Sequence, residues 1–248
     1  MTVVYLLAHF DDEYGVLPLI RQRAEAGIGQ RFVYLADYET PALATRRRNE
    51  TRAFMVHLGL NPDHVIHLQT GVVDGRLRQD LPRVFDAVQA SIEQLGHVER
   101  LVVPAWEGGH PDHEACAQMA VALQRRSLPA ATIEQFSLYH GKGLAGPLFR
   151  ACDPITENGP VVRVGLSAKQ WLDYAASIRF FGSQARTWAG LWPSMFLTFA
   201  LRGGFGYQNL NPERIHERPH SGPLLYERMY GVSYDEVRRA GDVFLAGL

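Results

Sequence analysis

Residues 3–13 read VVYLLAHFDDE: six apolar positions in succession, then a histidine and three acids within five residues. A short run that is apolar at every position, not at alternate ones, fits a strand covered on both faces, as in a parallel sheet. The pattern repeats outward from it. Residues 12–27 have helical spacing through Val16, Leu17, Ile20 and Ala24, with Gly27 as the stop. A second strand is expected over 31–36, then a long helix over 40–60 with Pro41 in its first turn and Gly59 near its end. Strands over 65–68, 100–105 and 133–139 alternate with helices over 81–95 and 114–124. Strands alternating with helices imply an α/β fold, a mostly parallel sheet with right-handed crossovers.

The chain has 248 residues, 46% of them hydrophobic, and a net charge of −1 from 25 Lys+Arg against 26 Asp+Glu. A chain this long exposes roughly 11,000 Å² when folded, against roughly 40,000 Å² extended, so it can bury a core without disulfides or a structural metal. The charge balance argues against a nucleic-acid partner, which would call for a basic excess. Arg46, Arg47 and Arg48 form the only basic run and fit a solvated helix face. Two cysteines, Cys116 and Cys152, make no disulfide framework and fit a cytoplasmic protein. The start lacks the basic segment and cleavage site of a signal peptide, and no apolar stretch, 191–201 included, is long enough to span a membrane. After residue 140 the alternation fades: a loop-rich stretch over 141–160, a strand over 161–164, a helix over 168–181, and an aromatic stretch over 187–207 in which Pro193 should start or kink a helix. Residues 1–248 are read as one domain, with 141–248 a C-terminal extension.

Ligands of open parallel sheets bind beyond the carboxyl ends of the strands. Two segments put acids and histidines there: His9 to Glu13 after the first strand, and GGHPDH at 108–113 after the strand over 100–105. If these two strands are neighbours, the segments meet. His9 and Asp12 lie three apart across a strand-to-helix turn, and His113 supplies a third ligand. Two imidazoles and one carboxylate suit Zn2+ with a position left for water. Asp11 is a candidate general base. His110 is a candidate oxyanion stabiliser or acid, and Asp112 could hold His110 or His113 in one tautomer. Taken singly, the acids fit a helix N-cap, and HPDH fits a polar turn with proline at N1. Their joint occurrence at two strand ends favours the metal site.

AHFDDE followed by HPDH resembles the LmbE-like, or PIG-L-like, zinc-dependent N-deacetylases, over roughly the first 120 residues. The resemblance implies a Rossmann-like three-layer sandwich. It implies His9, Asp12 and His113 as zinc ligands, Asp11 as general base and His110 as oxyanion stabiliser or acid. Arg47-x-x-Glu50 before Leu58-Gly59, Asp74-Gly75-x-Leu77 and Ser183-Gln184 resemble further family segments, which makes Arg47 and Asp74 candidates for sugar hydroxyls. The chain departs from the pattern at Phe10, where the family usually has proline. It departs again at Gly108, where members acting on thiol sugars carry a tyrosine.

The implied reaction removes an N-acetyl group from an N-acetylglucosaminyl-type sugar, small or linked to a lipid or polymer, releasing acetate and an amine. The region from Trp188 to Tyr207 could wall the pocket, contact a linked substrate or simply be a buried helix. Homo-oligomerisation is left open. A non-catalytic sugar-binding protein of the same fold, or an amidase acting on a thiol-sugar conjugate, is the alternative. A nucleotide-binding role is disfavoured, because HFDDE lacks the Gly-x-Gly-x-x-Gly cradle and its acids would repel a pyrophosphate.

Overall fold

The structure, a computed structural model, describes residues 2–248. Five parallel strands, β1 (Thr2–Leu7), β2 (Gly29–Tyr34), β3 (Val65–His67), β4 (Arg100–Pro104) and β5 (Thr132–Phe136), form most of one sheet. A two-residue hairpin, β6 (Tyr139–His140) with β7 (Arg150–Ala151), lies apart from it. Two later strands, β8 (Val162–Val164) and β9 (Phe205–Asn209), extend the main sheet antiparallel beyond β5. The order is β3-β2-β1-β4-β5-β9-β8. The helices are α1 (Asp12–Gly15), α2 (Leu17–Glu25), α3 (Pro41–His57), α4 (Leu81–Glu93), α5 (Pro111–Arg126), α6 (Ala168–Ser177), α7 (Ala185–Arg202), α8 (Leu225–Met229) and α9 (Tyr234–Ala246).

Strand β1 shows why its sequence is apolar throughout. Val4 and Leu6 enter one core with Val33, Val103, α4, α5 and α9. Val3, Tyr5 and Leu7 enter the opposite core with Phe32, Tyr34 and the aromatic residues of α7. Successive side chains point to opposite faces, and both faces are covered. β1 pairs parallel with β4, Val3 opposite Arg100 and Tyr5 opposite Val102, so the two polar segments that follow these strands are neighbours.

Several boundaries differ from the sequence reading. The helix expected over 12–27 breaks at Val16, because Pro18 has no N–H to give and its ring would strike the carbonyl one turn back; it is accommodated in the first turn of a new helix, α2. α5 begins at Pro111, earlier than expected, because His110 caps it. β5 ends at Phe136, because the Leu138 and Tyr139 N–H groups donate to the Glu107 carboxylate and not to a neighbouring strand. Pro193 does not start a helix: it lies inside α7, which runs from Ala185 to Arg202. Cys116 and Cys152 are buried free thiols. No helix among the described residues is long and apolar enough to cross a membrane.

Candidate active site at the carboxyl ends of β1 and β4

From β1 the sheet order runs one way to β3, and from β4 the other way through β5. The crevice between β1 and β4 is therefore the point where connection direction reverses, where open α/β sheets bind ligands. A cavity of about 140 Å³ opens there, lined by His9, Asp11, Asp12, Arg47, Asp74, His110 and His113, with a wall that includes Tyr139, Trp188 and Tyr230.

The turn after β1 is held hard. Asp12 Oδ2 accepts from the backbone N–H of Ala8 and of His9, each at 2.9 Å. That leaves Oδ1 facing the histidines: 3.3 Å from His113 Nε2 and 3.8 Å from His9 Nδ1. Burial alone would raise the Asp12 pKa, but the His113 and His9 imidazoles outweigh it and hold the carboxyl well below its usual range. Asp11 sits at φ 124, a conformation that costs a non-glycine residue about 1–3 kcal/mol and persists only when its surroundings impose it. Here they do. The Asp11 N–H donates to Glu13 Oε2 at 2.9 Å, and Glu13 accepts from Thr51 Oγ1 at 2.6 Å. The Phe10 carbonyl accepts from Gln184 Nε2 at 2.6 Å, and Trp188 Nε1 donates to Asp11 Oδ2 at 2.9 Å. Burial, with Asp12 and Glu13 beside it, pushes the Asp11 carboxyl well above the usual range.

Phe10 replaces a proline's rigidity by contacts. Its N–H, which proline lacks, donates to Tyr38 Oη at 2.7 Å, and its ring packs against Tyr34 at 4.4 Å and His67 at 5.0 Å. Gly108 lies at φ +79, and a Cβ there would come within 2.7 Å of Leu224, just before α8. A side chain at 108 would therefore need Leu224 to shift and would sit on a left-handed backbone, while Tyr139 and Tyr230, from other segments, face the cavity.

His110 Nδ1 accepts from the Asp112 N–H at 3.2 Å as the cap of α5. In a neutral ring the proton is then on Nε2, which faces the cavity as a donor. Burial, then the neighbouring His9, lower the His110 pKa to about 3, so the ring is neutral at pH 7. Asp112 does not hold His110 or His113 as expected. Its carboxylate accepts from Gly75 N (2.6 Å) and Leu77 N (3.0 Å), tying the 74–77 loop to α5, and its Oδ2 lies 3.4 Å from His9 Nε2. That bond brings Asp74 inward: its Oδ1 is 3.0 Å from His9 Nε2 and 3.9 Å from His110 Nε2. Arg47 lines the cavity with its guanidinium over the Tyr38 ring at 4.7 Å, and Glu50 pairs with Arg46 instead. Glu50 also accepts from Ser183 Oγ (2.5 Å) and Ser183 N (3.0 Å), so the Arg-x-x-Glu and Ser-Gln segments meet.

His9, His110 and His113 form one group whose nitrogens could hold a metal ion, and His9, Asp74 and Asp112 form another. The Nε2 atoms of His9 and His113 are buried and make no hydrogen bond of good geometry, although Asp74 Oδ1 and Asp12 Oδ1 lie 3.0 and 3.3 Å from them. Orphaned imidazole nitrogens amid carboxylates fit a divalent cation, whose charge would neutralise the acids. Tyr139 and Tyr230 escaped the sequence reading; Gln184 was noticed only within the Ser183-Gln184 segment, and Trp188 only within the aromatic stretch.

The family model for PIG-L, GlcNAc-PI de-N-acetylase, matches residues 4–124. No curated protein sequence matches the chain. Among solved structures, the zinc-inhibited form of the teicoplanin deacetylase Orf2 superimposes with a TM-score of 0.62 at 16% identity, covering 85% of this chain and 98% of that one. The N,N'-diacetylchitobiose deacetylase of Pyrococcus horikoshii gives 0.58 at 16% identity, covering 89% and 87%. GalB, the 4-carboxy-2-hydroxymuconate hydratase of Pseudomonas putida KT2440, gives 0.51 at 14% identity, covering 84% and 95%. At such identities the likeness is one of fold, and the fold alone does not choose between these reactions.

Proposed function

We propose that this protein, whose residues 4–124 match the PIG-L family model, is a metal-dependent hydrolase that removes the N-acetyl group from an N-acetylglucosaminyl-type sugar or conjugate. The observation that carries the reading is the meeting of Asp12 Oδ1, His9 and His113 beside Asp11 at the crevice between β1 and β4. His9, Asp12 and His113 would hold the ion. The Nε2 of His110 carries the ring proton, which leaves Asp12 as the third ligand and His110 as a donor. A bound Zn2+ supplies Lewis-acid polarisation of the amide and activation of water.

Asp11 accepts the proton of the attacking water, and that proton is then available to the departing nitrogen. The His110 Nε2–H stabilises the oxyanion. Asp112 anchors the loop that carries Asp74 and does not touch the substrate. Arg47 and Asp74 line the entrance, where sugar hydroxyls would be held. Residues 141–248 act as the substrate-shaping part of one domain, because α7 and Tyr230 complete the cavity wall.

The test is amine release from a panel of N-acetylglucosamine conjugates, before and after chelation, with Zn2+ added back. Metal-dependent release is expected, and Asp11→Ala should keep the metal and lose about 10²–10⁴-fold in turnover. Asp11→Ala with bound metal and near-normal turnover would show that Asp11 is not the base. A hydratase of the same fold would release no amine.

A further inference from the structure

We propose that Trp188 is the positioning residue of Asp11: its indole N–H binds one carboxylate oxygen and so presents the other to the substrate. The proposal rests on the reading of Asp11 as the general base. The bond runs from Trp188 Nε1 to Asp11 Oδ2 at 2.9 Å, and the tryptophan is only 3% exposed. The ring cannot drift from this place. It stands edge-on against Tyr14, centroids 4.6 Å apart, and one turn earlier Gln184 is tied to the Phe10 carbonyl. Helix α7 therefore grips two successive residues of the turn, the backbone of Phe10 and the side chain of Asp11.

The choice of side chain follows from what a base needs. Indole has one donor and no acceptor, and it does not titrate. A histidine in this position would compete for the proton. An arginine would add a full positive charge and hold the carboxylate ionised. An indole N–H orients the carboxylate without competing for the proton, and it favours the ionised form far less than a full positive charge would. Asp11 needs orientation because its backbone conformation is one that its surroundings must impose. With Oδ2 occupied, Oδ1 remains as the proton acceptor. The aromatic stretch containing Trp188 thereby gains a role more specific than that of a wall.

Trp188→Phe keeps the ring and removes the donor. Trp192→Phe is the control: its indole donates to Tyr14 Oη at 3.3 Å on the same helix, outside the cavity lining. Amine release is followed with 4-nitrophenyl N-acetyl-β-D-glucosaminide, with metal content measured for each variant. Trp188→Phe should lower kcat by about 10–100-fold, the order expected for a displaced catalytic group, with KM within about twofold. Trp192→Phe should stay near wild type. In an Asp11→Ala background Trp188→Phe should cost nothing further, whereas a purely structural role would lower the residual rate again. One readout needs no substrate. The ¹⁵N indole resonance of Trp188, identified by its loss in Trp188→Phe, should move upfield in Asp11→Ala. An unmoved resonance, or Trp188→Phe with wild-type kcat, overturns the proposal. A wild-type protein that releases no amine from any conjugate overturns the deacetylase reading beneath it, even where the resonance responds.

Discussion

Gly109→Ala tests whether the β4–α5 loop is clamped as tightly as its contacts imply. A Cβ on Gly109 would lie 2.0 Å from the Tyr139 carbonyl oxygen, a backbone atom, whereas real contacts of this kind stay beyond 3.0 Å. One side must move by about 1 Å. Tyr139 is poorly placed to yield, because its own N–H is bound to Glu107 at 2.9 Å. The displacement therefore falls on the loop carrying His110 and His113. Overpacking of this kind costs about 1–3 kcal/mol. In a chain of this size that lowers Tm by about 2–12 °C. A 1 Å misplacement of a catalytic group costs about 10²-fold in rate. Thermal unfolding followed by circular dichroism, and amine release under the conditions above, measure the two effects. Gly165→Ala is the control, since nothing lies within 4 Å of its Cβ and its φ is not positive. If Gly109→Ala matched Gly165→Ala in both Tm and rate, the clamp would be refuted.

Tyr38→Phe leaves the buried Phe10 N–H without its partner and should cost about 1–3 kcal/mol by denaturant unfolding. Ser183→Ala should cost about 1.5–3 kcal/mol, and little in a Glu50→Ala background, by a double-mutant cycle. Burial raises the Glu107 pKa to about 8, against an ordinary 4.5. The folded state therefore keeps a proton that the unfolded state has released. Its stability contribution is intact below pH 4.5 and is lost as pH rises through 8, at about 1.4 kcal/mol per pH unit between the two values. Glu107→Gln keeps the acceptor for Leu138 and Tyr139 and does not ionise, so its stability relative to wild type should rise from pH 5 to pH 8.

The strands and the two polar segments were legible because they are local: apolar runs, and short acid–histidine clusters directly after them. The crossover rules allowed β1 and β4 to be neighbours without requiring it, and the fold supplies the pairing. What escaped is long-range. Trp188 meets Asp11 across 177 positions, and nothing in ARTWAGLW marks one of its two tryptophans as a carboxylate partner. Asp112 was placed in the right loop, but the wrong partner was inferred, because its acceptors are backbone N–H groups of a segment 35–37 residues upstream. Arg47-x-x-Glu50 and Ser183-Gln184 were separately noticed as motif-like, but only the fold shows that Glu50 and Ser183 bind one another.

The position of β9 in the sheet also bears on how the chain is made. β5 is complete at residue 136, yet its outer neighbour arrives only with residues 205–209. At about 5–20 residues per second, ribosomal synthesis leaves that edge unpaired for roughly 4–15 seconds. The exposed segment, TIEQF, holds Glu134 and Gln135, which are both buried once folding is complete. An acid on a nascent edge discourages pairing with another chain. Here Glu134 later becomes the partner of Arg23 and Arg100. A ribosome stalled before residue 205 would release a chain with both acid–histidine segments present and its sheet still open, a species suited to chaperone capture or aggregation.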